Sequence, residues 1–409
     1  MKKVIEKVSV NRKQYKVENY KEFFTDSKNL LIKNDAIECG YGYETASEEF
    51  LQKPTKMFVF DGEVYYQKGD KLCFLEGKKE RVLTTIGTGE TCATQIIYHG
   101  MRVNLFINAQ GAYIVVRNLT ASASWIDASV VTEHNGRLFS AKDRIISFSE
   151  PFDVDLQCVS MKVAGNLRVD RQAGNVIGFS NDGKTLYVFC QRAIYTLKTG
   201  FESIDFIFKK ERNLDFEIKK DSLSTCADSV YFIGDNELYQ FKKGKMTALS
   251  KLLNKDYKTG FASFYNGIYC LPVSLNDDHY LYLYDTKSGD ESFISMQAEV
   301  ACSGYYFLGD KLVKISREKS LPLDAKAASK TFCLSTNGEV DLYEICFCAG
   351  ESGKLSIESK MGKTNFTVQK GFNAISTLLP SERYKIEFLS SKENFSIKEL
   401  RLKYIEKGE

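Results

Sequence analysis

A β-hairpin unit that recurs about every 40 residues constrains this chain more than any other feature. Met57-Phe58-Val59-Phe60 and Glu63-Val64-Tyr65-Tyr66 flank Asp61-Gly62, a pair that supplies the positive φ angles a two-residue hairpin turn needs. The same grammar returns around Asn108-Ala109-Gln110-Gly111, His134-Asn135-Gly136, Asn181-Asp182-Gly183-Lys184, Gly234-Asp235-Asn236, Asn266-Gly267 and Gly309-Asp310. Each unit has room for about four short strands, and a lone four-stranded sheet cannot bury both faces, so the units must stack. Radial stacking gives a β-propeller of six or seven blades. Two β-sandwiches in tandem are the alternative, because evenly spaced strands do not by themselves separate radial from layered packing.

The expected organisation is all-β. Residues 1–55 form an N-terminal arm packing on the propeller, 56–325 the six- or seven-bladed β-propeller, and 326–409 a small C-terminal β-sandwich. Helical periodicity is confined to residues 17–24 and 246–254. The small-residue stretch 321–330 reads as a linker. Beyond it, strands are expected at 330–335, 340–348, 354–359, 365–369, 374–379, 383–388 and 396–404. In the last of these Leu400, Leu402 and Tyr404 share one parity and Ile397 falls off it. The alternation in Tyr280-Leu281-Tyr282-Leu283-Tyr284 reads as a strand with Tyr on one face and Leu on the other.

Composition narrows the function classes. A formal net charge of +3 is too near balance for a dedicated nucleic-acid binder, and 3 His make a multi-histidine metal site improbable. No run of about 18 apolar residues predicts a membrane span, and the first ten residues lack a signal-peptide core. The 11 Cys sit mostly in apolar runs and read as small buried hydrophobes in a reducing cytosol. Cys346 and Cys348 alternate on a strand with no further ligands near, and Asn-x-Ser/Thr at Asn118, Asn365 and Asn394 carries no information without a secretion signal. Asp277-Asp278-His279 lacks the spacing of a cation loop, and His99 reads as a strand terminus. Trp125 reads as core. Asp182 in Ser180-Asn181-Asp182-Gly183-Lys184-Thr185 reads as a turn brace, the role Asp has in the Asp-boxes of sialidases, which this segment resembles in a single copy. No catalytic residue, cofactor or metal is expected; the basic excess in the first 22 positions admits only salt-sensitive, non-specific DNA contact.

The most distinctive segment holds His134, Arg137, Leu138 and Phe139, then Ser149, Pro151 and Asp153. It resembles the His-x-x-Arg-Leu-aromatic, then Ser-x-Pro-x-Asp pattern of propeller-like tail-nozzle and packaged-DNA stabilisation proteins of tailed phages. Leu156-Gln157 stands where those proteins often carry Trp. The stretch from Leu31 to Gly42 is similar to their N-terminal entry phrase. The resemblance implies a non-enzymatic structural protein of a phage or prophage, of tail or portal-connector type. It implies assembly as a homo-oligomeric ring with other phage structural proteins, in the cytoplasm and then the virion. His134, Arg137, Pro151 and Asp153 are then turn or interface residues. The competing expectations are an intracellular propeller binding scaffold or a carbohydrate-binding protein, and, third, a propeller hydrolase whose carboxylates gather from different blades.

Overall fold

The computed structural model describes residues 11–18, 23–33, 35–39, 42–48, 53–98, 101–116, 119–123, 125–151, 163–200, 202, 205–226, 228–251, 258–275, 278–298, 300–316, 325–336, 338–392 and 394–406. The chain is all-β and divides into two compact units, Thr45–His279 with Gln297–Lys314, and Met1–Glu44 with Tyr280–Met296 and Ile315–Glu409.

The first unit is built from consecutive antiparallel meanders. Four-stranded sheets occupy residues 56–85, 92–123, 130–168, 176–213 and 224–251, each formed from four strands in chain order. Their tight turns use the residues the sequence offers: Asp61-Gly62, Asn135-Gly136 and Asn266-Gly267 all hold positive φ at both positions. Neighbouring sheets pack face to face. Tyr65 and Phe74 of the first lie against Phe106 and Val115 of the second. Leu105 and Ile114 of the second meet Leu138 of the third. Phe139 and Phe148 meet Val188 and Tyr195, and Phe189 and Ile194 meet Val230, Phe232 and Phe241. The fifth continues through Tyr231, whose ring centroid is 4.9 Å from that of Phe264. Ser263 Oγ lies 3.3 Å from the Tyr306 hydroxyl. The series then closes on itself, because Val300, Phe307 and Leu312 pack with Met57, Val64 and Tyr66 of the first sheet. This serial packing of meanders is that of a β-propeller. The Ala46 amide donates to the Leu312 carbonyl at 2.8 Å, and Ser47 Oγ accepts the Leu312 amide at 2.9 Å, stitching the start of the unit to its end.

The second unit holds two antiparallel sheets around one core. One sheet contains Glu291–Ser295, Leu30–Ile32, Ala36–Cys39, Ser396–Glu406, Val340–Ala349 and Gly371–Ser381 in that order, and Asn11–Lys16 also pairs with Ser396–Glu406. The other runs Phe24–Lys28, Ala325–Ser329, Lys385–Ser390, Gly353–Ser359, Gly362–Val368. Leu342, Ile345, Phe347, Leu400 and Leu402 from the first meet Phe24, Ala327, Leu355, Ile357 and Phe388 from the second.

Several expectations are corrected. The described strands Asn11–Lys16 and Phe24–Lys28 are not an arm on the propeller; they pair inside the second unit, in register from Asn11↔Glu406 to Lys16↔Arg401 and from Phe24↔Ser329 to Lys28↔Lys326. The division therefore falls near 44/45, not 55/56, and residues 280–296 group with the second unit rather than the propeller. The presumed linker contains the strand Ala325–Ser329, whose alanines are buried in the core. The presumed helix at 246–254 is the strand Lys245–Lys251, returned by a turn at Lys243-Gly244 with φ of 48° and 81°. The helix expected at 17–24 lies largely outside the described residues. Leu281 and Leu283 are buried, as expected for one face, but Tyr282 and Tyr284 on the other face are buried too. Cys333 is exposed, unlike most of the other described cysteines.

Candidate functional site

Of the residues singled out in the sequence, Arg137, Leu138 and Ser149 are joined by hydrogen bonds as a brace within one sheet. His134 ends the strand Val130–His134 and is fully buried. Its Nε2 lies 3.2 Å from the Asn135 side-chain amide, so it bonds a side chain and not the backbone as a turn residue ordinarily would, and its Nδ1 has no partner. Burial pushes the His134 pKa below the ordinary histidine value, against the opposing pull of the Asn181 amide and the Glu133 and Asp182 carboxylates. Arg137 starts the next strand, is 2 % exposed, donates to the Ser149 carbonyl at 2.9 Å and lies 5.3 Å from the Phe206 ring centroid. Ser149 Oγ accepts the Leu138 amide at 3.0 Å. Pro151 is exposed beyond the strand end, and Asp153 lies outside the described residues. Nearby, Asp182 accepts the Lys184 and Thr185 amides at 3.0 and 2.7 Å and the Tyr187 hydroxyl at 3.2 Å, which is the turn-bracing role expected of it. The Trp125 indole donates to Ser140 Oγ at 3.0 Å and packs on the core of the second and third sheets.

A neutral, buried His134 has a definite consequence for pH. Its folded pKa is below the unfolded value of about 6.5, so the stability it contributes is present above pH 6.5 and is lost as pH falls towards the folded pKa. Between pH 7.5 and 5 the urea midpoint of the wild type should therefore fall more steeply than that of His134→Gln. Parallel slopes for the two proteins would show that His134 does not titrate with unfolding.

A different cluster has the geometry of a recognition site. In a four-stranded meander the residues before the first strand and the turn between the second and third strands lie at the same end. Lys56 opens the strand Lys56–Phe60, Glu90 precedes Cys92–Tyr98, Lys220 and Asp221 precede Ser224–Cys226, and Phe261 precedes Ser263–Tyr265. These positions come from four different sheets, yet they converge. Glu90 Oε1 is 3.2 Å from Lys56 Nζ and 2.9 Å from Lys220 Nζ, and Lys220 reaches Oε2 at 3.2 Å. Lys56 Nζ lies 5.4 Å from the Phe261 ring centroid, and the Asp221 carbonyl accepts the Ala262 amide at 2.6 Å.

The electrostatics of the cluster are divided. Burial acts to raise the Glu90 carboxyl, but Lys220 and Lys56 outweigh it and hold it below the usual carboxylate range. Burial raises the Asp221 carboxyl in spite of the same two lysines, and burial lowers the neighbouring Lys219 ammonium. Beneath them the Cys92 thiol, which donates to the Ala128 carbonyl at 3.4 Å, is pushed up to about 12 by burial. The Thr91 hydroxyl is buried without a partner. Side chains hold the entry loop in place: Gln67 Nε2 donates to the Gly87 and Gly89 carbonyls at 3.3 and 2.9 Å, and Asn108 Nδ2 donates to the Ile86 carbonyl at 2.6 Å. No cluster of three metal-capable side chains occurs among the described residues. Sequence reasoning missed Lys56, Glu90, Lys220 and Asp221, since they share no motif. Their one signal is positional: each stands at the entry to the first strand of a meander.

No family model matches the sequence, and no curated protein matches it. Among solved structures, the chain is similar to the extracellular domain of the putative hybrid two-component system BT4673 from B. thetaiotaomicron, with 12 % identity over 82 % of this chain and 47 % of that one and a TM-score of 0.48. It is also similar to the β-propeller domain of Myceliophteria thermophila Cps50 (Swd1), with 9 % identity over 67 % of this chain and 98 % of that one and a TM-score of 0.46. A third is YCF48 bound to D1 peptide, with 9 % identity over 66 % of this chain and 94 % of that one and a TM-score of 0.44. The chain spans about half the length of the BT4673 domain.

Proposed function

We propose that the first unit is a seven-bladed propeller acting as a non-catalytic binding scaffold, with a β-sandwich as its companion, and that a protein partner docks at the blade-entry end. The observation that carries this reading is Glu90, which draws Lys56 and Lys220 together from entry loops 164 residues apart in sequence. Glu90 and Lys220 remain about two-fifths exposed, so the charges stay available to a partner. Binding there is expected to be salt-sensitive.

The test compares wild type with Lys56→Glu/Lys220→Glu as bait in an extract of the native cell, with quantitative mass spectrometry of what is retained. A specific protein held by the wild type at low salt, and lost from the variant, supports the reading. Equal retention by both removes the entry cluster as the docking site. The tail-connector role is the special case in which the scaffold assembles as a ring, and light scattering reads it directly: a ring mass supports that case and a smaller species rules it out.

A further inference from the structure

The second unit carries an edge strand that lacks charged side chains, the commonest protection against pairing, and whose other protections, a bulge at Thr377 and Leu378 and Pro380, lie towards its Ser381 end. Gly371–Ser381 is the terminal strand of its sheet, bonded on one side to Val340–Ala349, and no strand pairs its other side among the described residues. Its eleven residues include no charged side chain, in a chain that is 27 % Asp, Glu, Lys and Arg. Edge strands ordinarily carry Lys or Glu so that their free amide and carbonyl groups do not recruit another chain. The terminal strand of the facing sheet, Gly362–Val368, follows that rule with Lys363. The exposed positions of Gly371–Ser381 alternate as Phe372, Ala374, Ser376 and Leu378. Phe372 and Leu378 are each 69 % exposed, among the most exposed large apolar side chains of the protein.

We propose that this edge pairs with a second copy of the chain, antiparallel, about a two-fold axis at Ile375. In that register Phe372 of each copy stands opposite Leu378 of the other, and Ala374 opposite Ser376. Residues directly opposite in an antiparallel pair point to the same face, so the two apolar positions cover one another twice by symmetry. No like charges meet anywhere along the ladder. Beyond the span Lys370, which pairs with Glu351 of its own chain at 2.5 Å, stands opposite Pro380 of the other copy and diagonal to its Glu382, so the ends of the ladder bring opposite charges near one another. Pro380, which has no amide hydrogen, lies outside the span from 372 to 378 that carries the pairing.

The register makes the proposal testable by mixing. The wild type is expected at twice the monomer mass in light scattering. Phe372→Lys alone and Leu378→Glu alone each lose both apolar pairs and should weaken association by about tenfold or more. An equimolar mixture of the two should return to the dimer mass. At one end of the mixed ladder the introduced lysine of one variant faces the introduced glutamate of the other, while at the other end the unchanged Leu378 and Phe372 still face each other. Recovery on mixing also shows that both variants are folded. A monomeric wild type, a ring mass, or a mixture that stays monomeric would overturn the proposal.

Discussion

Arg137→Leu is expected to destabilise the propeller by about 3 kcal/mol, a large effect for one side chain in a meander that has no other buried arginine. The guanidinium makes a charge-assisted bond to the Ser149 carbonyl at 2.9 Å and lies against the Phe206 ring. A bond of that kind contributes about 1.5–3 kcal/mol, and leaving the carbonyl unsatisfied costs about 1–3 kcal/mol. The ion pair to Glu150 at 3.5 Å adds little, since that carboxylate is 76 % exposed. Arg137→Lys keeps the charge but not the planar fork, and should recover only part of the loss. Trp125, the single tryptophan of the chain, sits on the same meander through Ser140 and reports its unfolding by fluorescence. A urea midpoint unmoved in Arg137→Leu would mean the arginine is not the brace described. Arg137 and Ser149, two of the residues that carry the phage resemblance, thus join the second and third strands of one sheet.

What the sequence reveals depends on range. Asp61-Gly62, Asn135-Gly136 and Asn266-Gly267 were readable because a two-residue turn demands positive φ, and few residues accept it. Asp182 was readable for a similar reason: its partners lie two to five residues on. Lys245–Lys251 was not, because Met246, Ala248 and Leu249 suit a helix and only pairing with Glu237–Lys242 decides the matter. Ala325–Ser329 resembled a linker because alanine has little strand preference, yet small side chains suit a strand that is buried between neighbours on both sides. The pairing of Asn11–Lys16 with Ser396–Glu406 joins the two ends of the chain and has no local signal. The entry cluster fails for the same reason, since Lys56, Glu90 and Lys220 become neighbours only when the ring closes.

Ser396–Glu406 shows a local irregularity with a global consequence, and it yields the second large effect. Ile397, Leu400, Leu402 and Tyr404 all face the core although Ile397 has the wrong parity. Glu399 resolves the conflict by adopting φ of 57°, and the register against Val340–Ala349 shifts between Cys346 and Cys348. One extra residue forms a β-bulge that returns the strand to the correct face. Glu399→Pro keeps the residue count but fixes φ at about −65°, so it should remove the bulge, and one half of the strand must then turn outward. The cheaper slip expels Ile397, with a loss of about 3 kcal/mol or more, and the other expels Leu400, Leu402 and Tyr404 together. Glu399→Gly should act in the opposite direction, because glycine holds positive φ without strain; the expected gain is about 0.5–1 kcal/mol. Thermal unfolding of the two variants beside wild type decides the point. Opposite signs identify residue 399 as the bulge that sets the register, whereas a neutral proline variant would show that the strand tolerates either parity and that the buried set is not fixed by this residue.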